Sequence, residues 1–209
     1  MSLKDCGNHR IYRRKIFRRI IGGILIFLLL VLITILIIWA ILRPSKPSFV
    51  LQDTTLYAFN ASIPGLLTSN FQLTLSSRNP NDRIGIYYDR LHVYATYDYQ
   101  QITLGTSIPP TYQGHKEINV WSPFISGNSV PIAPQFATSL GSQQASGSVF
   151  LMIKVDGRVR WKVGTFISGR YHLHVTCPAL INFGSESTGV MVGENAIKYQ
   201  FLTRCSVSV

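Results

Sequence analysis

Acidic residues are scarce in this 209-residue chain, nine Asp and Glu against twenty Lys and Arg for a formal net charge of +11. Acid–base chemistry with paired carboxylates therefore has few candidates. The familiar catalytic spacings are missing too: there is no G-x-S-x-G, H-E-x-x-H, C-x-x-C or phosphate-cradling G-x-x-x-x-G-K, and no G-x-G-x-x-G opening a helix. No cofactor is called for, and the expected class is non-enzymatic. His172 and His174 share a strand face and could ligate a metal with a third group, but two exposed histidines on a strand are ordinarily solvated polar positions. After residue 42 the surplus is 13 basic against 8 acidic residues, without a Lys/Arg cluster and interleaved base-stacking aromatics, so nucleic acid is not the expected partner.

One long stretch lacks charge altogether. From Ile20 to Leu42, 18 of 23 residues are Leu, Ile, Val or Phe, broken by Gly22, Gly23, Thr34, Trp39 and Ala40. As a helix it spans about 35 Å, enough to cross a hydrocarbon core of roughly 30 Å with some tilt. A signal-peptide core is shorter, about 7–15 residues, and ends at a small-residue cleavage site. This run passes instead into Ile41-Leu42-Arg43-Pro44, so it is expected to stay as a transmembrane helix and signal-anchor.

Lys and Arg are retained on the cytoplasmic side of a membrane. Residues 1–19 hold seven of them (Lys4, Arg10, Arg13, Arg14, Lys15, Arg18 and Arg19) against the single acid Asp5, whereas only Arg43 and Lys46 flank the other end. The expected topology is N-terminus inside and C-terminus outside. The domains read as a basic cytoplasmic tail at 1–19, the helix at 20–42, a stiff proline-containing stalk at 43–48, and an exterior domain at 49–209. Cys6, in the tail, is open to acylation or simply a free thiol.

Beyond residue 48 the pattern changes to short runs rich in Val, Ile, Tyr, Phe and Thr, separated by Gly, Pro, Asn and Ser. Strand candidates are Phe49 to Phe59, Phe71 to Ser76, Ile84 to Tyr88, Leu91 to Tyr97, Gln101 to Leu104, Glu117 to Trp121 and Tyr171 to Cys177, with no helical period between them. Near the end, Ile197, Tyr199, Phe201, Cys205, Val207 and Val209 share one face. Asp156-Gly157 reads as the turn of a hairpin joining Val149–Val155 to Arg158–Val163. The expected fold class is all-β, a sandwich preceded by a single transmembrane helix.

Cys177 and Cys205 fall on the apolar parity of their strands and, in this topology, in an oxidising space. They are expected to form a disulfide; the alternative is two separately buried small residues. Asn60-Ala61-Ser62 is the one N-x-S/T sequon, an exterior glycosylation candidate at Asn60. Arg158, Arg160 and Lys162 fall on one face of a strand, a basic row about 13 Å long. Either it is a solvated strand face, or it contacts an acidic polymer such as wall pectin or lipid head groups.

A strand, Phe71-Gln72-Leu73-Thr74-Leu75-Ser76-Ser77-Arg78, runs into Asn79-Pro80-Asn81, a tight polar reversal in which proline fixes one φ and asparagine tolerates a left-handed one. With the basic tail, the single helix, the stalk, Tyr87-Tyr88 and the paired late cysteines, this order resembles the plant harpin-induced-like and non-race-specific disease resistance-like proteins. These carry a late-embryogenesis-abundant group 2 domain, also called the water-stress and hypersensitive-response domain. The resemblance covers nearly the whole chain. It implies a sandwich of fibronectin- or immunoglobulin-like type, residence in the plasma membrane and at plasmodesmata, and a role in plant defence. The partner it leaves open is a cell-wall polysaccharide or another membrane protein. Its alternative is a stress-protective or lipid-binding module acting at the membrane during water loss.

Overall fold

A computed structural model of the chain describes residues 5–41, 44–62, 65–183, 189–192 and 196–209. The chain divides into two compact units, Met1–Arg43 and Pro44–Val209. In the first, α1 runs Asp5–Ile41, so helical order reaches back into the basic segment read as a tail. Its stretch Ile16–Ile37, with a mean hydropathy of 3.3, is long and apolar enough to cross a membrane, and none of it is buried against protein. Exposed Leu, Ile and Phe in such number have no partner in water, which is the physical argument for a bilayer as solvent. Lys4, Leu42 and Arg43 lie outside the described residues.

The second unit is two antiparallel sheets. The first sheet contains β1 (Ser48–Ser62), β2 (Leu66–Arg78), β7 (Ile118–Trp121), β8 (Phe124–Pro131), β12 (Val190–Val192) and β13 (Ala196–Arg204). Its order is β12-β13-β1-β2-β7, with β8 also pairing β2. The second sheet contains β3 (Gly85–Tyr97), β4 (Gln100–Gln101), β5 (Thr106–Ile108), β6 (Thr111–Gln113), β9 (Ser148–Val163), β10 (Phe166–Ile167), β11 (Tyr171–Asn182) and β14 (Ser206–Ser208). Its order is β14-β11-β9-β3-β4, with β10 on β9 and β5 and β6 on β3. Alternate side chains of both sheets meet in one core: Phe49, Leu51, Phe71, Leu73 and Leu75 from the first, and Tyr88, Val93, Val155, Leu173 and Val175 from the second, each at most 1% exposed.

Three sequence expectations are corrected. Asp156-Gly157 is not a turn: β9 runs straight through it for 16 residues, paired with β3 on one side and β11 on the other. The glycine is there because the β3 backbone passes so close that a Cβ would strike the Arg90 carbonyl oxygen. A helix does interrupt the strands, α2 at Pro134–Ala145, which opens on a proline and buries Leu140. Its Phe136 meets Tyr97 edge-on with ring centroids 6.4 Å apart. The runs Ile84 to Tyr88 and Leu91 to Tyr97 are one strand, β3, with a bulge between Tyr88 and Arg90.

The Asn79-Pro80-Asn81 segment is also built otherwise than expected. Neither asparagine has a positive φ; in the facing loop Lys116 does, at 57°. Asn79 is fully buried and its Nδ2 donates to the carbonyls of Ile84 (2.7 Å) and Gly114 (2.8 Å). Its Oδ1 accepts from the Asn81 backbone N–H (3.0 Å) and Nδ2 (2.9 Å). Asn81 then holds both backbone groups of Ser45, accepting from its N–H at 2.8 Å and donating to its carbonyl at 2.8 Å. The motif is therefore a buried polar knot that fastens the entering chain to the sandwich.

The last strand changes sheets. β13 ends at Arg204 in the first sheet and β14 begins at Ser206 in the second, and the residue between them is Cys205. Its N–H donates to the Phe49 carbonyl at 2.9 Å. The crossover brings Cys205 to Cys177 on β11, and the two form a disulfide.

Candidate functional site

The outer face of the second sheet carries a cleft of about 720 Å³. Its floor is made by β3, β9 and β11, whose register fixes which side chains meet. Arg90 lies opposite Arg158, and His92 opposite Asp156, in the β3–β9 pairing. Across the β9–β11 pairing, His172 lies opposite Arg158 and His174 opposite Asp156. Asp89, Arg160, Arg170 and Pro110 complete the rim.

The bulge in β3 explains this convergence. Tyr87 pairs with Arg160, Tyr88 with Val159 and Arg90 with Arg158, so Asp89 is the extra residue. Two successive side chains, Asp89 and Arg90, thereby reach the same side of the sheet, which a regular strand forbids. Asp89 grips Arg160 with both carboxylate oxygens, 2.9 Å from Nε to each and 2.5 Å from an Nη. The same carboxylate lies 3.4 Å from Nε of Arg170. Hydrogen bonding to Asp89 holds the Arg160 guanidinium still further above its ordinary value. Asp156 is taken up likewise: His174 Nδ1 is 2.6 Å from one oxygen, and the Tyr94 hydroxyl donates to the other. Burial first, then the hydrogen bond and charge of Asp156, pushes the Tyr94 phenol up to about 12.

The expected basic row lies on one sheet face but is not uniform. Arg158 is exposed and lines the cleft; Arg160 lines it half-buried in its ion pair. Lys162 is outside the cleft, its Nζ lying 5.8 Å from the Tyr87 ring centroid and 5.2 Å from that of Tyr112. Arg90, Arg170 and Asp89 escaped the sequence reading, because their place depends on strand pairing. A signal existed in the spacing of buried residues on β3, where the step from Tyr88 to Leu91 is three rather than two. The rings of His172 and His174 lie parallel, 6.3 Å apart. Among the described residues no group of three His, Cys, Asp or Glu is placed to hold a metal. Asn60 is exposed near the end of β1, opposite Thr68 on β2.

Comparison with known proteins gives the family. The late embryogenesis abundant protein family matches residues 74–177, from β2 to Cys177. "NDR1/HIN1-like protein 1" of Arabidopsis thaliana is 65% identical over 209 residues, covering 99% of this chain and 100% of the relative. The chain belongs to the NDR1/HIN1-like family. A second member, "NDR1/HIN1-like protein 12" of the same plant, is 63% identical over the full length of both chains. "NDR1/HIN1-like protein 26" is 43% identical over 75% of each. Membership of the NDR1/HIN1-like family supports a plant defence or stress-related role in general.

Proposed function

We propose that this protein is a non-enzymatic, single-pass plasma-membrane protein of plant defence, whose exterior domain binds acidic wall polysaccharide through the cleft on the second sheet. The observation that carries this reading is the charge of that cleft: four arginines and three histidines line it against two aspartates, and both aspartates are already engaged within the fold. A concave surface with one sign of charge concentrates ligands of the other. The apolar helix Ile16–Ile37 supports membrane anchoring, and the basic residues before it support a cytoplasmic N-terminus. The Cys177–Cys205 disulfide agrees with an oxidising exterior.

Two experiments test this reading. Full-length protein in non-ionic detergent, titrated into fluorescently labelled oligogalacturonate, should bind saturably, and the affinity should fall as salt rises. Replacing Arg158, Arg160 and Lys162 together by Glu should weaken binding; equal binding by the reversed protein would refute contact through this face. For topology, an amidase that removes N-linked glycans should reduce the mass of the plant-expressed protein but not of Asn60→Gln. An unchanged wild-type mass would remove the glycan.

A further inference from the structure

The cleft's cations are not equivalent, and the difference singles out one place in it. Arg160 and Arg170 share Asp89, and His174 holds Asp156. Arg90 and Arg158, by contrast, have no acidic group within ion-pair distance among the described residues, yet they face each other directly across the β3–β9 register. His172 extends the same rung from β11. Like charges directly opposite on neighbouring strands repel. Here the backbone is specially shaped to bring them together: the bulge at Asp89 turns Arg90 onto the cleft, and Gly157 lets the Arg90 main chain press against β9. An arrangement that is unfavourable when empty and costs a bulge and an obligatory glycine fits a seat for an anion.

We propose that the Arg90–Arg158–His172 rung is the oxyanion seat of the cleft, taking one carboxylate of an acidic oligosaccharide. The inference rests on the acidic-polysaccharide reading and sharpens it, because it assigns recognition to Arg158 with Arg90, not to the whole basic row. Guanidinium groups present planar pairs of N–H donors that match a carboxylate edge, and imidazole adds a further donor. A volume of about 720 Å³ exceeds one carboxylate and suits a ligand of a few sugar rings. The lining is polar apart from Pro110 and Gly157, so it offers no apolar strip for an acyl chain.

The test uses full-length protein in non-ionic detergent with labelled oligogalacturonate, comparing Arg90→Gln and Arg158→Gln with Lys162→Gln. Each of the first two should raise Kd at least tenfold, and Lys162→Gln less than threefold. Thermal unfolding separates recognition from folding. Without ligand, Arg158→Gln should melt at or above the wild-type temperature, since it relieves repulsion, while the rise in melting temperature produced by oligogalacturonate should disappear. If the wild type binds and both Gln variants bind within threefold of it, the rung assignment is overturned while the acidic-polysaccharide reading stands. If the wild type does not bind oligogalacturonate, that reading itself fails. Binding to phosphatidylserine vesicles instead, abolished by Arg158→Gln, would overturn the carbohydrate assignment in favour of a head group.

Discussion

A side chain on residue 157 would collide with the main-chain carbonyl of Arg90, and only glycine allows the two strands to lie as they do. Gly157→Ala should therefore force β3 away from β9. The expected cost is about 1–3 kcal/mol, as for other changes that overfill a packed site. Denaturant unfolding measures it, and oligogalacturonate affinity should fall alongside because Arg90 moves. A variant with an unchanged unfolding midpoint would show that the close approach is not required.

The disulfide closes the C-terminal segment, with a sequence separation of 28 between its cysteines. On the chain-entropy model its loss should cost about 3–4 kcal/mol. Cys177→Ser, tested by chemical unfolding, should show this. A thiol count on denatured protein should rise from one, Cys6, to three on reduction, since the sequence holds three cysteines. Three thiols before reduction would contradict the bridge.

Asn79 and Asn81 should be unequal under mutation. Asn79→Ala strands the carbonyls of Ile84 and Gly114 in the interior. Each stranded buried group costs about 1–3 kcal/mol, so a loss near 3 kcal/mol is expected. Asn81→Ala releases Ser45, which is exposed and can turn to water, and should cost about 1 kcal/mol. The reverse order, measured by urea midpoints, would refute the buried-knot account.

Alkali should reveal Tyr94. Its phenol, pushed up to about 12, keeps its proton more tightly in the folded chain than in the unfolded one, where about 10 is usual. The stability this contributes is complete below about pH 10 and is lost as pH rises towards 12. Burial raises the Tyr88 and Tyr97 phenols as well, so a tyrosinate absorbance titration should show a late phase whose amplitude falls by one tyrosine in Tyr94→Phe; an unchanged amplitude would show the assignment wrong.

The β class and the cysteine pair were legible because they rest on period-two alternation, which each strand carries in its own sequence. The C-terminal run revealed Ile197, Tyr199, Phe201, Cys205 and Val207 as core-facing, but Val209, read on the same face, is exposed, and the run did not show that Cys205 marks a change of sheet. Asp156-Gly157 misled for a definite reason: glycine serves equally for a positive φ and for a close backbone neighbour, and only the neighbour tells them apart. The α2 helix was hidden because it is short and carries no charge, so its pattern gives little more than an N-terminal proline. The cleft was the least legible part. Arg158 and Arg160 stood out along one strand, but Asp89, Arg90 and His172 join them only through pairing across 68 residues on one side and 14 on the other.

The hold of Asn81 on Ser45 also decides how the sandwich would bear tension. A pull arriving at Pro44 meets that pair of hydrogen bonds before it reaches β1, which is flanked on both sides by antiparallel neighbours, β2 and β13. Traction along β1 loads those ladders in shear, so many bonds must yield together instead of unzipping singly. β1 lies in the sheet opposite the cleft, so the strand that meets the pull first is not one that carries the anion seat.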